Sequence, residues 1–347
     1  MGGVRVGLLV DSDAYGGAEV YVRQLLRRLP PSIERHLVVA EPVAPRFLDL
    51  ADRCASLTRM PLARGRTQAS ELPPLLRGIG ADVWCVNLVD PAGNRAALGA
   101  ACAAAPTVAV LHMPGEADGL RELYAKAAAV VTVSEEITGL LRDDLGLPAD
   151  RVVHVRSGVD VPERVVRPAR DGGPLRVGAV GRLTGQKGFD LLIPAVAELV
   201  RGGHRLTVEI AGEGRDHAAL VRAAAGLPIR FAGFVRDVPA MLSCLDVFCL
   251  PSRREGLPLA LLEAMAHGLP CVATDVGDVA AAVGDGALVV PPGDVPALTR
   301  ALEALLADGE ARRRLGTRAR AVAVRRFDAA AMAETVARIL LRIGGAP

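Results

Sequence analysis

Gly181-Arg182-Leu183-Thr184-Gly185-Gln186-Lys187-Gly188 stands between an apolar run, Leu175–Val180, and a segment of helical periodicity, Phe189–Arg201. The order strand, glycine-bearing loop, helix decides the fold class. It exposes unpaired backbone N–H groups and the positive end of a helix beyond the strand, which suits a phosphate. Arg182 and Lys187 add two cations in the same loop. A diphosphate gathers negative charge as its bond to a sugar breaks, so cations fixed there stabilise the transition state. An ordinary glycine turn with solvated bases reads much the same way. Lys187, however, is one of only two lysines in a chain otherwise built on arginine, the other being Lys126.

Outward from that loop the alternation continues. Toward the C-terminus, strands are expected at Leu206–Ala211, Ile229–Phe231, Val247–Leu250, Cys271–Thr274 and Ala287–Val290. Helical segments are expected at Pro239–Cys244, Pro258–His267, Pro296–Ala307, Gly309–Arg326 and Ala329–Ile343. Toward the N-terminus, Pro162–Gly173 reads as a linker. Before it, strands at Val4–Val10, Leu37–Ala40, Val83–Val89, Thr107–Leu111, Val130–Val133 and Val152–Val155 alternate with helices and loops. The first helix, Ala18 to about Leu29, places Val22, Leu25, Leu26 and Leu29 on one stripe, with Arg23, Gln24, Arg27 and Arg28 outside it. Strands separated by helices specify parallel sheets covered on both faces. The chain is therefore read as α/β with two similar halves, and the ligand site is expected in a cleft between them, at the carboxyl ends of the strands.

Composition narrows the classes. At 347 residues the chain exceeds one ordinary α/β core. It is 51% hydrophobic and 23% charged, so it can fill sizeable cores. A formal net charge of +2 leaves no nucleic-acid footprint. The cysteines at 54, 85, 102, 244, 249 and 271 show no metal-site spacing and read as small core hydrophobes, which suits a reducing cytoplasm. Met1–Val10 shows no basic leader followed by a long apolar run, and Pro106 stops the alanine-rich stretch 96–105, so neither signal peptide nor transmembrane segment is expected.

A second motif is Glu255-Gly256-Leu257-Pro258-Leu259-Ala260-Leu261-Leu262-Glu263. Pro258 fits the first turn of a helix. Glu263 then lies in an otherwise apolar helix, where a carboxylate needs hydrogen-bond donors. The vicinal hydroxyls of a ribose supply them; so does an arginine in a salt bridge. Glu255 precedes the helix, placed to hold sugar hydroxyls, and the N–H groups of Gly256, Leu257 and Leu259 face a phosphate or sugar.

Together these motifs resemble the retaining glycosyltransferases of family four, which have the two-domain GT-B fold. In the first half, Gly16-Gly17-Ala18-Glu19 matches that family's glycine turn, Val131-Thr132-Val133-Ser134-Glu135 its strand-then-serine segment, and Ser157-Gly158-Val159-Asp160 a variant of its Asn-Gly-Val-Asp turn. Then follow Gly181-Arg182 with Lys187-Gly188, Ala211-Gly212-Glu213-Gly214, the Glu255/Glu263 pair and Pro292-Gly293-Asp294. The resemblance implies an acceptor-side Rossmann-like domain over 1–165, a nucleotide-sugar-binding one over 174–326 facing it across a cleft, and a helix over 327–347 packing back toward the first. It implies a hexose-type sugar moved with retention from a nucleotide-diphosphate donor, UDP-sugar favoured over GDP-sugar. The donor is a co-substrate, with no cofactor and no metal. Arg182 and Lys187 would hold its diphosphate, Glu263 the ribose, Glu255 with Gly256, Leu257, Pro258 and Leu259 the transferred sugar, and Val235 the base. Gly16 and Gly17 would allow close approach of the first helix, and His112 would face the reacting sugar.

The chain departs from the family at Val276-Gly277-Asp278, where Gly-Gly-Glu is usual, and at Arg156-Ser157, where Pro-Asn is usual. No carboxylate declares itself as a covalent nucleophile, so same-face attack is expected, with Glu116 and Asp118 the nearest acids to His112. Asn87, Asp90 and Asn94 are acceptor-side candidates, and a small soluble acceptor or saccharide is favoured. An epimerase or a non-catalytic binder of the same fold is the alternative. A nicotinamide oxidoreductase would use Glu41, but the first turn lacks Gly-x-Gly-x-x-Gly. Arg312, Arg313, Arg314, Arg318, Arg320, Arg325 and Arg326 could touch anionic lipid, yet a solvated helix face is the favoured reading.

Overall fold

A computed structural model describes residues 3–61, 72–165 and 172–345. It divides into two compact units, the first comprising residues 1–158 with 329–347 and the second residues 159–328. Part of the expected linker, residues 166–171, lies outside the described residues.

The first unit holds seven parallel strands: β1 (Val4–Val10), β2 (Ile33–Ala40), β3 (Ser56–Met60), β4 (Val83–Leu88), β5 (Thr107–Leu111), β6 (Ala129–Thr132) and β7 (Val152–His154), in the order β3-β2-β1-β4-β5-β6-β7. The second holds six: β8 (Leu175–Val180), β9 (Leu206–Ala211), β10 (Ile229–Gly233), β11 (Val247–Leu250), β12 (Cys271–Thr274) and β13 (Leu288–Val290), in the order β10-β9-β8-β11-β12-β13. Central strands such as β4, with every residue buried, read as continuous apolar runs because helices cover both faces. In each sheet the order reverses at its first strand. The crevices at carboxyl ends therefore open beside β1/β4 and β8/β11.

Strand β3 escapes the sequence reading. It is a half-buried edge, Ser-Leu-Thr-Arg-Met, with no apolar run to announce it. The first helix is Gly17–Arg28, and Gln24, expected outside its stripe, is buried and accepts a hydrogen bond from Arg28. The carboxamide is compact enough to be buried once that donor meets it. Residues 159–165, grouped above with the first half, cluster with the second unit, where the Val159 N–H donates to the Phe327 carbonyl (2.8 Å). The C-terminal helix, Ala329–Ile343, belongs to the first unit and packs against the helix Gly17–Arg28 and β4.

The arginine run on the helix Gly309–Arg326 has a structural use. Arg312 donates to the carbonyls of Leu305 and Leu306, Arg320 to that of Ala266, and Arg326 to those of Ala281 and Ala282. Each caps the carbonyl end of a neighbouring helix, where cations are favoured. Arg313, Arg314 and Arg318 stay on the surface beside Glu310 or Asp285. Among the described residues no helix is long and apolar enough to cross a membrane.

Candidate active site

In the second unit, β8 delivers Arg182 and Lys187, and β11 delivers Glu255 and the helix Leu259–Ala266 that carries Glu263. These two strands are neighbours, so both loops leave the same end of the sheet. Lys187 Nζ lies 2.6 Å from Glu255 Oε1, and Ser252 Oγ donates to the same oxygen at 2.6 Å. Ser252 is itself fully buried, and its carbonyl accepts from Thr274 Oγ1 (2.5 Å) at the end of β12. Glu255 is thus held from two sides. A salt bridge to an arginine is the alternative reading for either glutamate; at Glu255 the structure has a salt bridge, but with a lysine.

The neighbouring loop presses on the same carboxylate's backbone. Gly277 has φ +55°, and a Cβ there would lie 2.3 Å from the Glu255 carbonyl oxygen. The Asp278 N–H donates to the Gly256 carbonyl (3.3 Å). Hence the segment Val276-Gly277-Asp278, which departs from the family pattern, still clamps the Glu255 loop, and only glycine fits its centre.

Pro258 is the residue before the helix and not its first turn, with φ −77° and ψ 107°. Gly256, Leu257 and Leu259 are buried, and among the described residues their N–H groups meet no acceptor. Arg182 is half-buried, and no hydrogen bond or ion pair from a described residue engages its guanidinium. Glu263 likewise receives no hydrogen bond from a described residue; burial, with the Asp160 carboxylate nearby, pushes its carboxyl up to about 7. The side chain is half-buried, so only solvent at its edge is left to hold the charge. Val235 is half-buried in the loop after β10.

In the first unit, the Gly16 N–H donates to Glu19 Oε2 (2.7 Å) at the start of the helix Gly17–Arg28, and Gly17 is exposed there. His112 follows β5, is 9% exposed, and shares a 2.7 Å hydrogen bond between Nε2 and Asn87 Oδ1 at the end of β4. The Tyr21 ring stands edge-on to the imidazole, centroids 4.9 Å apart. Burial pushes the His112 imidazole down to about 3, so it is neutral. Asn87 Nδ2 and the Tyr21 hydroxyl are buried with no partner among the described residues. Asp90 Oδ1 accepts from the Gly93 N–H (2.7 Å). Asn94 is buried in the left-handed region (φ 58°), where its amide donates to the Asp11 carbonyl. Both side chains therefore shape the turn after β4. Ser252, Thr274 and Tyr21 were not among the residues singled out from sequence. Ser252, three places before Glu255, offered only its position as a signal.

Among the described residues no group of three or more His, Cys, Asp or Glu could hold a metal ion. A groove of about 980 Å³ in the second unit lies by Asp246 and Pro270, which precede β11 and β12, and so at the end of the sheet opposite these loops.

Two parallel sheets, each with helices on both faces and a switch point beside its first strand, define an α/β protein of double Rossmann-like build. Residues 15–163 match the model of Glycosyltransferase Family 4, and residues 174–308 that of Glycosyl transferases group 1. The chain belongs to the family-four glycosyltransferases, with the GT-B fold. It is 33% identical over 243 residues to an alpha-D-kanosaminyltransferase of Streptomyces kanamyceticus, covering 65% of this chain and 63% of the relative. It is 34% identical over 204 residues to a 2-deoxystreptamine glucosyltransferase of the same organism, covering 53% and 52%. The chain thus spans about half to two thirds of these relatives' length. A glycosyltransferase of Rickettsia africae superposes with a TM-score of 0.79 at 14% identity over 100% of both chains. Anabaena HepE, solved with UDP and glucose, does so with 0.79 at 19% identity, over 97% of this chain and 99% of that one.

Proposed function

We propose that this protein transfers a hexose-type sugar from a nucleoside-diphosphate donor, UDP-sugar in the first place, to a small polar acceptor, with retention at the anomeric carbon. The observation that carries the proposal is the Lys187–Glu255 contact at the β8/β11 switch point, in the same loop as a half-buried Arg182 whose guanidinium no described residue engages. Arg182 and Lys187 take the diphosphate and meet the charge that develops as it leaves, a role that requires no metal ion. Glu263 gains its missing donors from the ribose hydroxyls. Glu255 and the N–H groups of Gly256, Leu257 and Leu259 orient the sugar, with Pro258 setting the turn. Val235 borders the base. His112, neutral and held by Asn87, is able to donate or accept a hydrogen bond without adding charge. The acceptor hydroxyl attacks from the face that the diphosphate leaves, and its proton passes to a leaving phosphate oxygen.

The choice of UDP is supported by Anabaena HepE, solved with UDP and glucose. The loops 11–16, 89–94 and 112–120, at carboxyl ends of the first sheet, hold five carboxylates and no lysine or arginine. That balance disfavours an anionic acceptor. One relative is named for glucosylation of 2-deoxystreptamine, which supports a small polar acceptor. Six free cysteines fit a cytoplasmic location.

Thermal stabilisation by UDP, GDP, dTDP, ADP and NAD tests the reading. A ligand at about a hundred times its dissociation constant adds roughly 2.7 kcal/mol. A shift with UDP alone is the expected result, a shift with GDP would replace the base, and a shift with NAD alone would overturn the proposal.

A further inference from the structure

We infer that Arg253 and Asp190 are positioning residues of the donor site: their ion pair fastens the loop carrying Lys187 to the loop carrying Glu255, so that the two loops offer one preformed surface. The inference rests on the donor reading above and assigns work to side chains outside it.

The sheet itself does not align these loops. The β8/β11 ladder pairs Val247 with Val177 and Phe248 with Gly178, and stops before either strand ends. Beyond it a separate seam begins. Arg253 makes a bidentate pair with Asp190, Nη1 to Oδ1 and Nη2 to Oδ2, both at 2.7 Å. Arg253 Nη1 also donates to the Gly185 carbonyl (2.9 Å), and the Arg253 N–H donates to the Gln186 carbonyl (2.8 Å). In the other direction Gln186 Nε2 donates to the Arg254 carbonyl (3.0 Å). Lys187 and Glu255 then meet at 2.6 Å, at the inner end of the same seam. Segments 185–190 and 251–255 are thereby bound to each other along their length. The arginine holds the Asp190 carboxyl below the usual carboxylate range.

The position of the pair argues for orientation over bulk stability. Arg253 and Asp190 side chains are 41% and 50% exposed, and ion pairs that open to water add little to global stability. A fork-to-carboxylate pair nevertheless fixes direction, since both bonds must form in one plane. Groups that must meet a diphosphate and a sugar together tolerate misplacement of only a fraction of an ångström.

The test is a double-mutant cycle of Arg253→Ala and Asp190→Ala in the full chain. UDP affinity is read by calorimetry, with GDP run alongside, together with donor and acceptor KM and thermal midpoint. Each single variant should weaken UDP binding and raise donor KM about tenfold, and the double variant should be no worse, as for two residues acting through one contact. Acceptor KM and the midpoint should scarcely change, and Arg253→Lys, which keeps the charge without the fork, should fall between wild type and Ala. Wild-type UDP affinity in both singles, losses that add in the double, or a lowered midpoint with unchanged UDP affinity would each overturn the inference. If the wild type binds neither nucleotide, the donor reading falls first and takes this one with it.

Discussion

The ammonium of Lys187 and the carboxylate of Glu255 are bound to each other, Nζ to Oε1 at 2.6 Å, across 68 residues of chain. The sequence assigns the first to a diphosphate and the second to a sugar. The structure shows that each is the other's partner. With side chains only 16% and 4% exposed, the pair is costly to break from one side.

Removing the lysine alone leaves a buried carboxylate with Ser252 as its one side-chain donor among the described residues. Lys187→Ala is therefore expected to lose about 3 kcal/mol of stability in urea denaturation. Lys187→Ala combined with Glu255→Gln should recover most of that, because no uncompensated charge remains. Losses that simply add would show that the two groups do not depend on each other. Nucleotide stabilisation should be weak in both variants, so each must be compared with its own ligand-free midpoint.

Gly188 offers a sharper probe of the seam. Its φ is +65°, and a Cβ there would lie 1.9 Å from the Pro251 carbonyl oxygen. Gly203 is also left-handed, at φ +86°, but nothing lies within 4 Å of its would-be Cβ. Gly203→Ala should cost about 1–2 kcal/mol from backbone strain alone. Gly188→Ala should cost more and also abolish UDP stabilisation, since segment 185–188 must lift away from Pro251. Equal losses in the two variants, with UDP binding intact, would count against the seam.

Much of this was legible because the deciding signals are local. Gly309–Arg326 and Ala329–Ile343 match their expected bounds, and Asp308 caps the former through the N–H groups of Glu310 and Ala311. Arg182, Lys187, Glu255 and Glu263 stand out because loop and helix chemistry is written in adjacent residues. What escaped is set by tertiary partners. Strand β3 is an edge with polar faces, and the arginines of 309–326 reach carbonyls of other helices. The Arg253–Asp190 fork, joining residues 63 apart, has no spacing that could announce it.

His112 is neutral because it is buried, and its folded-state value lies well below the ordinary one. The unfolded chain takes up a proton near pH 6.5 that the folded protein refuses until about 3, so this residue's contribution to stability is present above pH 6.5 and is lost as pH falls toward 3. Imidazole NMR should show no His112 titration between pH 5 and 8. Asn87→Asp would place a carboxylate on Nε2 and should bring the titration into that range. A wild-type titration near pH 6.5 would mean that the pocket admits water and that His112 carries charge during turnover.

Glu263 has the opposite sign and links protons to the donor. Its folded value is raised to about 7 by burial and by Asp160, whereas the unfolded carboxyl ionises near the ordinary 4.5. Between those limits the folded protein holds a proton that the unfolded chain releases, so this group's contribution to stability is full below about pH 4.5 and is lost as pH rises to about 7. Ribose hydroxyls donate to the ionised carboxylate, so binding a nucleoside diphosphate should expel that proton. UDP affinity is then expected to be flat above about pH 7 and to fall up to tenfold per unit below it. Glu263→Gln should bind UDP weakly and lose this dependence, and the phosphate's own titration, common to both proteins, cancels in the comparison. Calorimetry in two buffers of different ionisation enthalpy measures the proton directly. About one proton released per UDP at pH 6 in the wild type, and clearly fewer in Glu263→Gln, is the expected pair of values. Equal release from the two proteins would remove Glu263 from the ribose and leave its raised value a property of the apolar helix alone.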